Sequence, residues 1–237
     1  MSAVMNIVIL IPAYKPEDKL CTLVQALSAA GMTRVLIVDD GGGADYAAIF
    51  ARCRQLGATI ETHADNRGKG AALKSGIAAI LRMWPDAPGI VTADADGQHA
   101  VANILDVCHA LIARPDHLIL GSRAFVGEVP FKSRFGNAIT RQVYRLVTGK
   151  RIHDTQTGLR GMPMQAAREG LAYPGNRYEW EMEQLLHTRL SIQEVPIQTI
   201  YENNNQGSHF SPVRDAARVY RVIFAAAFCR KKQKPPG

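Results

Sequence analysis

Residues 91–99 read VTADADGQH, an apolar run that ends in two aspartates one residue apart, then a glycine, a glutamine and a histidine. Like charges that close repel, and burying them is costly unless a cation or hydrogen-bond donors answer them. Hard divalent cations such as Mg2+ and Mn2+ take oxygen ligands and leave coordination positions for substrate phosphates. Asp94, Asp96 and Gln98 supply such oxygens, and Gly97 lets the backbone turn tightly between them. The plainer alternative is a turn and helix cap, a place where aspartate is common. One aspartate fits that alternative; two, set after an apolar strand and joined by a glutamine, fit a metal site better.

Those residues act only if the chain holds them at a common edge. Through residue 125 one cadence repeats: an apolar strand, a polar or glycine-rich turn, then a helical stretch. Strands are read at NIVILIP (6–12), VLIVDD (35–40), ATIET (58–62), GIVTAD (89–94) and HLILGS (117–122). Helices are read over 16–30, 46–56, 71–83 and 101–113. Strands apolar on both faces that alternate with helices predict an α/β fold, a mostly parallel sheet covered on both sides. In such sheets ligands bind beyond the carboxyl ends of the strands. That rule gathers Ala13, Tyr14 and Glu17, Asp39 and Asp40, Arg67 and Lys69, Asp94 to Gln98, and Arg123 on one rim. The glycine-rich pieces are weak alone: GGG (41–43) lacks the dinucleotide spacing, and NRGKG (66–70) lacks that of a P-loop.

The second half is less regular. A helix is expected over 131–148, a loop and short strand over HDTQTGLRGMP (153–163), and a helix over 180–189. A strand over 192–201 is expected at a sheet edge because of Pro196. The turn-rich NNNQGSHFSP (203–212) precedes a last helix over 213–229. With no repeats and no linker, the chain reads as one domain, 1–212, with halves 1–125 and 126–212, followed by a helix and basic tail at 213–237.

Apolar residues make up 47% and charged residues 21% of the 237, the balance of a soluble globular protein. Cys21, Cys53, Cys108 and Cys229 form no C-x-x-C pair, which suits free thiols in a reducing compartment. MSAVMNIVIL lacks the features of a secretory signal, and no apolar run nears the ~20 residues that span a bilayer. A cytoplasmic location is expected. Net charge is +7, more than half of it from Arg230, Lys231, Lys232 and Lys234, which favours phospholipid, nucleic acid or phosphate-bearing substrates. No nucleic-acid-binding motif accompanies this tail. The last helix combines Arg214, Arg218 and Arg221 with VIFAAAF, a pattern open to a membrane interface, a packed helix or an oligomer contact.

Taken in order, IPAYKPE, VLIVDDGGG, NRGKGAALKSGI, VTADADGQH, GSR and DTQTGLRG resemble the motif series of family 2 glycosyltransferases. More narrowly, they resemble the dolichyl-phosphate mannose or glucose synthase-like branch, over residues 6–200. The resemblance implies a GT-A fold, a Rossmann-like sheet with a smaller acceptor side. It also implies inverting transfer of a sugar from a UDP- or GDP-sugar with Mg2+ or Mn2+. Pro12, Ala13 and Tyr14 are then expected to border the nucleotide, with Glu17 displaced by one residue from the family's P-x-Y-N-E. Asp39 and Asp40 match contacts to base and ribose, and Arg67 and Lys69 the basic segment beside the nucleotide. Asp94, Ala95, Asp96 and Gln98 match the metal and diphosphate site. Arg123 and Arg134 match arginines that hold the acceptor phosphate. Ala138 stands where the synthases often carry serine. QGSHFSPVRD resembles a different group of the family, which assigns Ser208 and His209 to the diphosphate.

The acceptor implied is a polyprenyl phosphate at the cytoplasmic membrane face. Such a phosphate is already an anionic nucleophile, so Arg123 and Arg134 need only position it. A hydroxyl acceptor on a polysaccharide or glycolipid instead needs a carboxylate base. Asp154 is the first choice for that role; Glu181 is the second, and reads more simply as a solvated helix glutamate. His99 has no role in this reading. Asp94-Ala95-Asp96-Gly97 also fits the signature of haloacid-dehalogenase-type phosphatases, but there the nucleophile sits on the first strand, and here three strand–helix units precede it. A non-catalytic nucleotide-sugar-binding subunit draws no support from an intact acidic cluster.

Overall fold

The computed structural model describes residues 3–123, 131–197 and 212–233, and leaves out the side chains of 131–136, 212–214 and 227–233. Its strands are β1 (Val8–Ala13), β2 (Val35–Asp39), β3 (Thr59–Thr62), β4 (Gly89–Thr92), β5 (His117–Arg123), β6 (Arg160–Pro163) and β7 (Ser191–Ile197). They form one sheet in the order β3-β2-β1-β4-β6-β5-β7. β1 pairs in parallel with β2 and β4, β2 with β3, and β5 with β7. β6 alone among these runs antiparallel, between β4 and β5. β7 ends the sheet, as Pro196 predicts: a residue without an N–H is tolerated where one side of the strand needs no donor.

The helices are α1 (Lys19–Ala29), α2 (Ala47–Gln55), α3 (Lys69–Met83), α4 (Val101–Ala113), α5 (Phe131–Thr148), α6 (Met164–Gly170), α7 (Glu179–His187) and α8 (Pro212–Gln233). Strand side chains alternate between faces, so β1 sends Ile9 and Ile11 to one side and Val8 and Leu10 to the other. The first face packs on α1, α2 and α4 through residues such as Leu20, Phe50 and Ile104. The second packs on α3, α6 and α7 through Ile77, Ala167 and Trp180. This double burial is why the strands read as unbroken apolar runs. Cys21, Cys53 and Cys108 are buried free thiols. No helix among the described residues is long and apolar enough to cross a membrane.

Two features depart from the sequence reading. α6 was not anticipated, and the short strand after DTQTG inserts antiparallel into the middle of the sheet. What anchors that strand is Arg160, its first residue, only 1% exposed. Its Nε donates to the Thr157 carbonyl at 2.8 Å, and Nη1 donates to the Glu181 carbonyl at 2.6 Å and to Gln184 Oε1 at 3.1 Å. Nη2 donates to the Thr155 carbonyl at 3.3 Å. One guanidinium thus joins β6, the loop before it, and α7.

Arg160→Met keeps much of the bulk but strands those carbonyls without a donor. Stability in urea is expected to fall by about 3 kcal/mol or more. A loss below about 1 kcal/mol would mean the loop is held by other contacts.

Candidate active site

All the parallel strands present their carboxyl ends at one rim, and β6 starts from that rim because it runs the other way. The 153–159 loop is therefore delivered beside the end of β4, where the Thr92 hydroxyl donates to the Gly158 carbonyl at 2.7 Å. Asp94 follows directly. Its Oδ1 lies 2.6 Å from Lys69 Nζ, and its Oδ2 lies 3.3 Å from His99 Nε2. The same Lys69 ammonium lies 2.9 Å from Glu181 Oε1. Lys69 is the first residue of α3 and Glu181 belongs to α7, so the contact joins three elements distant in sequence.

The charges follow from this arrangement. Burial disfavours the Lys69 ammonium, but the carboxylates of Asp94 and Glu181 outweigh it and raise its pKa. Burial likewise disfavours ionised Asp94, yet the Lys69 charge and the His99 contact hold its carboxyl well below the usual range. Asp96 goes the opposite way: burial and the neighbouring Asp94 charge push its carboxyl up. Asp96 Oδ1 accepts the Gln98 N–H at 3.0 Å, which closes the turn at Gly97, a residue with φ of +76°.

This donor set bears on the cation that the sequence suggests. Among the described residues no cluster of three or more His, Cys, Asp or Glu side chains is arranged to hold a metal ion. Asp94, Asp96 and the Gln98 amide would supply three oxygens, a partial shell. A partial shell fits Mg2+ or Mn2+ that completes its coordination with phosphate oxygens.

Other expected residues meet different fates. Ala13 is buried at the end of β1, Pro12 and Tyr14 are half-buried, and Ala95 is half-buried between the aspartates. Glu17 and Arg67 are exposed at the rim. Asp39 Oδ1 accepts the Gly42 N–H at 2.8 Å. Asp40 is a correction to the expected contact with base or ribose. Its carboxylate, buried at 2% exposure, accepts from Asn66 Nδ2 and from the N–H groups of Arg67 and Gly68, and lies 2.8 Å from His63 Nδ1. It staples the NRGKG turn to the end of β2. Gly68 and Gly70 serve packing in that turn, because a Cβ at either would strike the 176–177 segment.

Asp154 is a second correction. It is fully buried and accepts from Arg123 Nε at 2.6 Å and Nη2 at 3.0 Å. A carboxylate gripped by a guanidinium in this way orients the arginine. Glu194 on β7 supports the pair, accepting the N–H groups of His153 and Asp154. Glu181 is the third correction: it is a buried partner of Lys69, not a solvated glutamate. Arg134 lies on α5, but its side chain is outside the described residues, as are Ser208 and His209.

His99 and Gly158 were missed. His99 is buried against Asp94, and its Nδ1 has no hydrogen-bond partner among the described residues. Its adjacency to the acidic pair was the available signal. Gly158 is required by close approach: a Cβ there would collide with both Asp94 carboxylate oxygens. Gly158→Ala is therefore expected to leave the thermal midpoint within a few degrees while displacing Asp94. Mn2+ affinity, followed by electron paramagnetic resonance, should weaken about tenfold or more, since liganding geometry tolerates little displacement. Unaltered Mn2+ binding would show that the contact is dispensable.

Known proteins resemble the chain in sequence and in fold. A family model for glycosyl transferase family 2 matches residues 8–171. An uncharacterized protein of Methanocaldococcus jannaschii is 27% identical over 231 residues, covering 94% of this chain and 93% of its own. A UDP-N-acetylglucosamine–dolichyl-phosphate N-acetylglucosaminyltransferase of Methanococcus voltae is 29% identical over 219 residues, covering 82% of this chain and 86% of its own. In fold, the chain is similar to glucosyl-3-phosphoglycerate synthase of Mycobacterium tuberculosis, with a TM-score of 0.71 at 15% identity, over 98% of this chain and 81% of that one. The sheet is thus the GT-A type, and with the family match spanning well over half of its length the chain belongs to glycosyl transferase family 2, as a glycosyltransferase.

Proposed function

We propose that the enzyme moves a sugar from a nucleotide-diphosphate sugar to a lipid phosphate, with Mg2+ or Mn2+ held by Asp94, Asp96 and Gln98. The observation that carries the choice of acceptor is the state of the two carboxylates considered as bases. Asp154 is gripped by Arg123 and Glu181 by Lys69. A hydroxyl acceptor needs a base within reach to remove its proton. A phosphate acceptor is ionised already and needs a cation to position it. Arg123, fixed by Asp154, is such a cation, and Arg134 on the neighbouring α5 is its proposed companion.

The bound metal supplies charge stabilisation for the departing nucleotide diphosphate. Lys69 adds positive charge beside it, and Arg67 lies in the same turn. Pro12, Ala13, Tyr14 and Asp39 line the nucleotide side, with Ser208 and His209 assigned to the diphosphate. The Methanococcus voltae relative acts, by its name, on a UDP-sugar and dolichyl phosphate, and it supports both donor and acceptor class. A solved glucosyl-3-phosphoglycerate synthase holds Mn2+ with UDP-glucose, which favours a UDP-linked donor over a GDP-linked one. A lipid acceptor implies work at the cytoplasmic membrane face. In support, α5 and α8 pack together and expose Leu146 and Phe224 along with the basic Arg145 and Arg221.

Asp96→Ala is expected to abolish Mn2+-dependent UDP binding by calorimetry while the thermal midpoint stays near that of the parent; an unchanged titration refutes the metal assignment. With a UDP-sugar donor, product is expected on polyprenyl phosphate and not on the free polyprenol. The reverse preference sinks the acceptor assignment. Asp154→Asn loosens Arg123, so KM for the lipid phosphate should rise about tenfold or more with donor affinity unchanged. A loss confined to kcat, with the acidic limb of the pH–rate profile gone, would instead mark Asp154 as the base.

A further inference from the structure

We propose that Lys69 is a resident counter-cation, one that releases Asp94 when the divalent cation and donor diphosphate enter, and that Glu181 is the positioning residue that retains it through the exchange. The inference rests on the reading of Asp94 and Asp96 as cation ligands. Its starting observation is one ammonium between two carboxylates, 2.6 Å from Asp94 and 2.9 Å from Glu181. Lysine is a compact charge on a flexible stem with three donors, so it holds two acceptors at once and can swing between them. Its side chain is 16% exposed and that of Glu181 9%, against 28% for Asp94, so Asp94 is the partner that an entering cation meets first.

Electrostatics make the exchange necessary. A divalent cation on Asp94 stands within a few ångströms of the ammonium that now occupies that carboxylate. Two positive groups cannot share it at that range without strong repulsion. Lys69 must therefore withdraw, and Glu181 is already in contact. The α7 backbone that carries Glu181 is pinned where Arg160 Nη1 donates to the Glu181 carbonyl, so its reach is set by its own side chain. The Tyr178 ring, 5.7 Å from Lys69 Nζ, bounds the other side. Glu181 thus acts through Lys69, which stays poised beside the arriving diphosphate.

The sign of the effect separates this from a merely structural role. While nucleotide is absent, Lys69 competes with the metal; once the diphosphate is bound, Lys69 assists it. Lys69→Met is therefore expected to tighten Mn2+ binding by the nucleotide-free protein about tenfold and to weaken UDP binding at saturating Mn2+ by a similar factor. Glu181→Gln leaves Lys69 to Asp94 alone, so Mn2+ binding without nucleotide should weaken several-fold. That effect should vanish in the Lys69→Met background, since a double-mutant cycle reveals action through a shared partner. Both are read by electron paramagnetic resonance of Mn2+ and by calorimetry with UDP. Lys69→Arg keeps the charge and the pairing, and is expected to keep the parent's Mn2+ affinity should Lys69→Met fold poorly.

Unchanged or weaker Mn2+ binding by a folded Lys69→Met, or tighter binding by Lys69→Arg, overturns the competition. A Glu181→Gln effect that persists in full without Lys69 overturns the role of Glu181. A parent protein that takes up no Mn2+ even with UDP overturns the underlying metal assignment, and the exchange with it.

Discussion

Two carboxylates, half-buried Asp94 at the end of β4 and buried Glu181 on α7, share the ammonium of Lys69 at the start of α3. Removing Lys69 would leave the buried Glu181 carboxylate without its counter-charge, a costly state in a low-dielectric site. The geometry of the rim follows from that penalty. α3 must begin beside β4, and α7 must lie close enough for its second carboxylate to reach the same nitrogen. The approach is so tight that Gly70 has no room for a Cβ against Trp180 and the Arg177 carbonyl. The Ala71 N–H also spends itself on the Asn176 carbonyl at 2.9 Å. The glycines of NRGKG are thus set by helix–loop packing, and the lysine between them by charge.

The antiparallel β6 does the complementary work. A parallel strand at that place in the sheet would leave the segment before it at the far edge. Running backwards, β6 brings Asp154, Gly158 and Arg160 to the edge where β4 and β5 end. Arg160 then ties this loop to the backbone of α7 beneath Glu181, while Asp154 grips Arg123 at the end of β5. Glu194 holds the loop from the sheet edge. The two ion pairs at the rim, Lys69 with Asp94 and Glu181, and Arg123 with Asp154, are therefore mechanically linked through a single loop.

Much of this was legible in the sequence, for reasons that also explain the failures. Strands buried on both faces leave continuous apolar runs, and the carboxyl-end rule then gathers Asp39, Lys69, Asp94 and Arg123 without side-chain coordinates. Pro196 identified an edge strand by its missing donor. Glu181 was misread because α7 has no polar stripe: residues 180–186 are all buried. Its acids are answered by partners that spacing along a helix cannot reveal, Glu179 by the Asn176 and Arg177 N–H groups, Glu183 by the Gly175 N–H and Glu181 by Lys69. From the sequence, Asp40 reads as a base or ribose contact through the family resemblance, and Asp154 as the first choice of base for a hydroxyl acceptor. Local spacing shows that a carboxylate is present, and only the folded chain shows which donor already occupies it.

Once those donors are assigned, the acids of the rim divide sharply. Asp40 is saturated by the NRGKG turn, Asp154 by Arg123, and Asp94 and Glu181 by Lys69. Asp96 differs: its partner among the described residues is the Gln98 N–H, and its pKa is displaced upward while that of Asp94 is displaced downward. A raised carboxyl pKa means that the fold binds that proton more tightly than the unfolded chain does. Its contribution to stability is present at low pH and is lost as pH rises from the ordinary aspartate range through the raised value. Ionised Asp96 is thus a local cost to the fold, and its named partner is a backbone N–H, not a cation. Local inconsistency of that kind is expected at a site completed by a ligand. It agrees with the proposed cation site beside Asp96, next to the carboxylate that Lys69 now occupies.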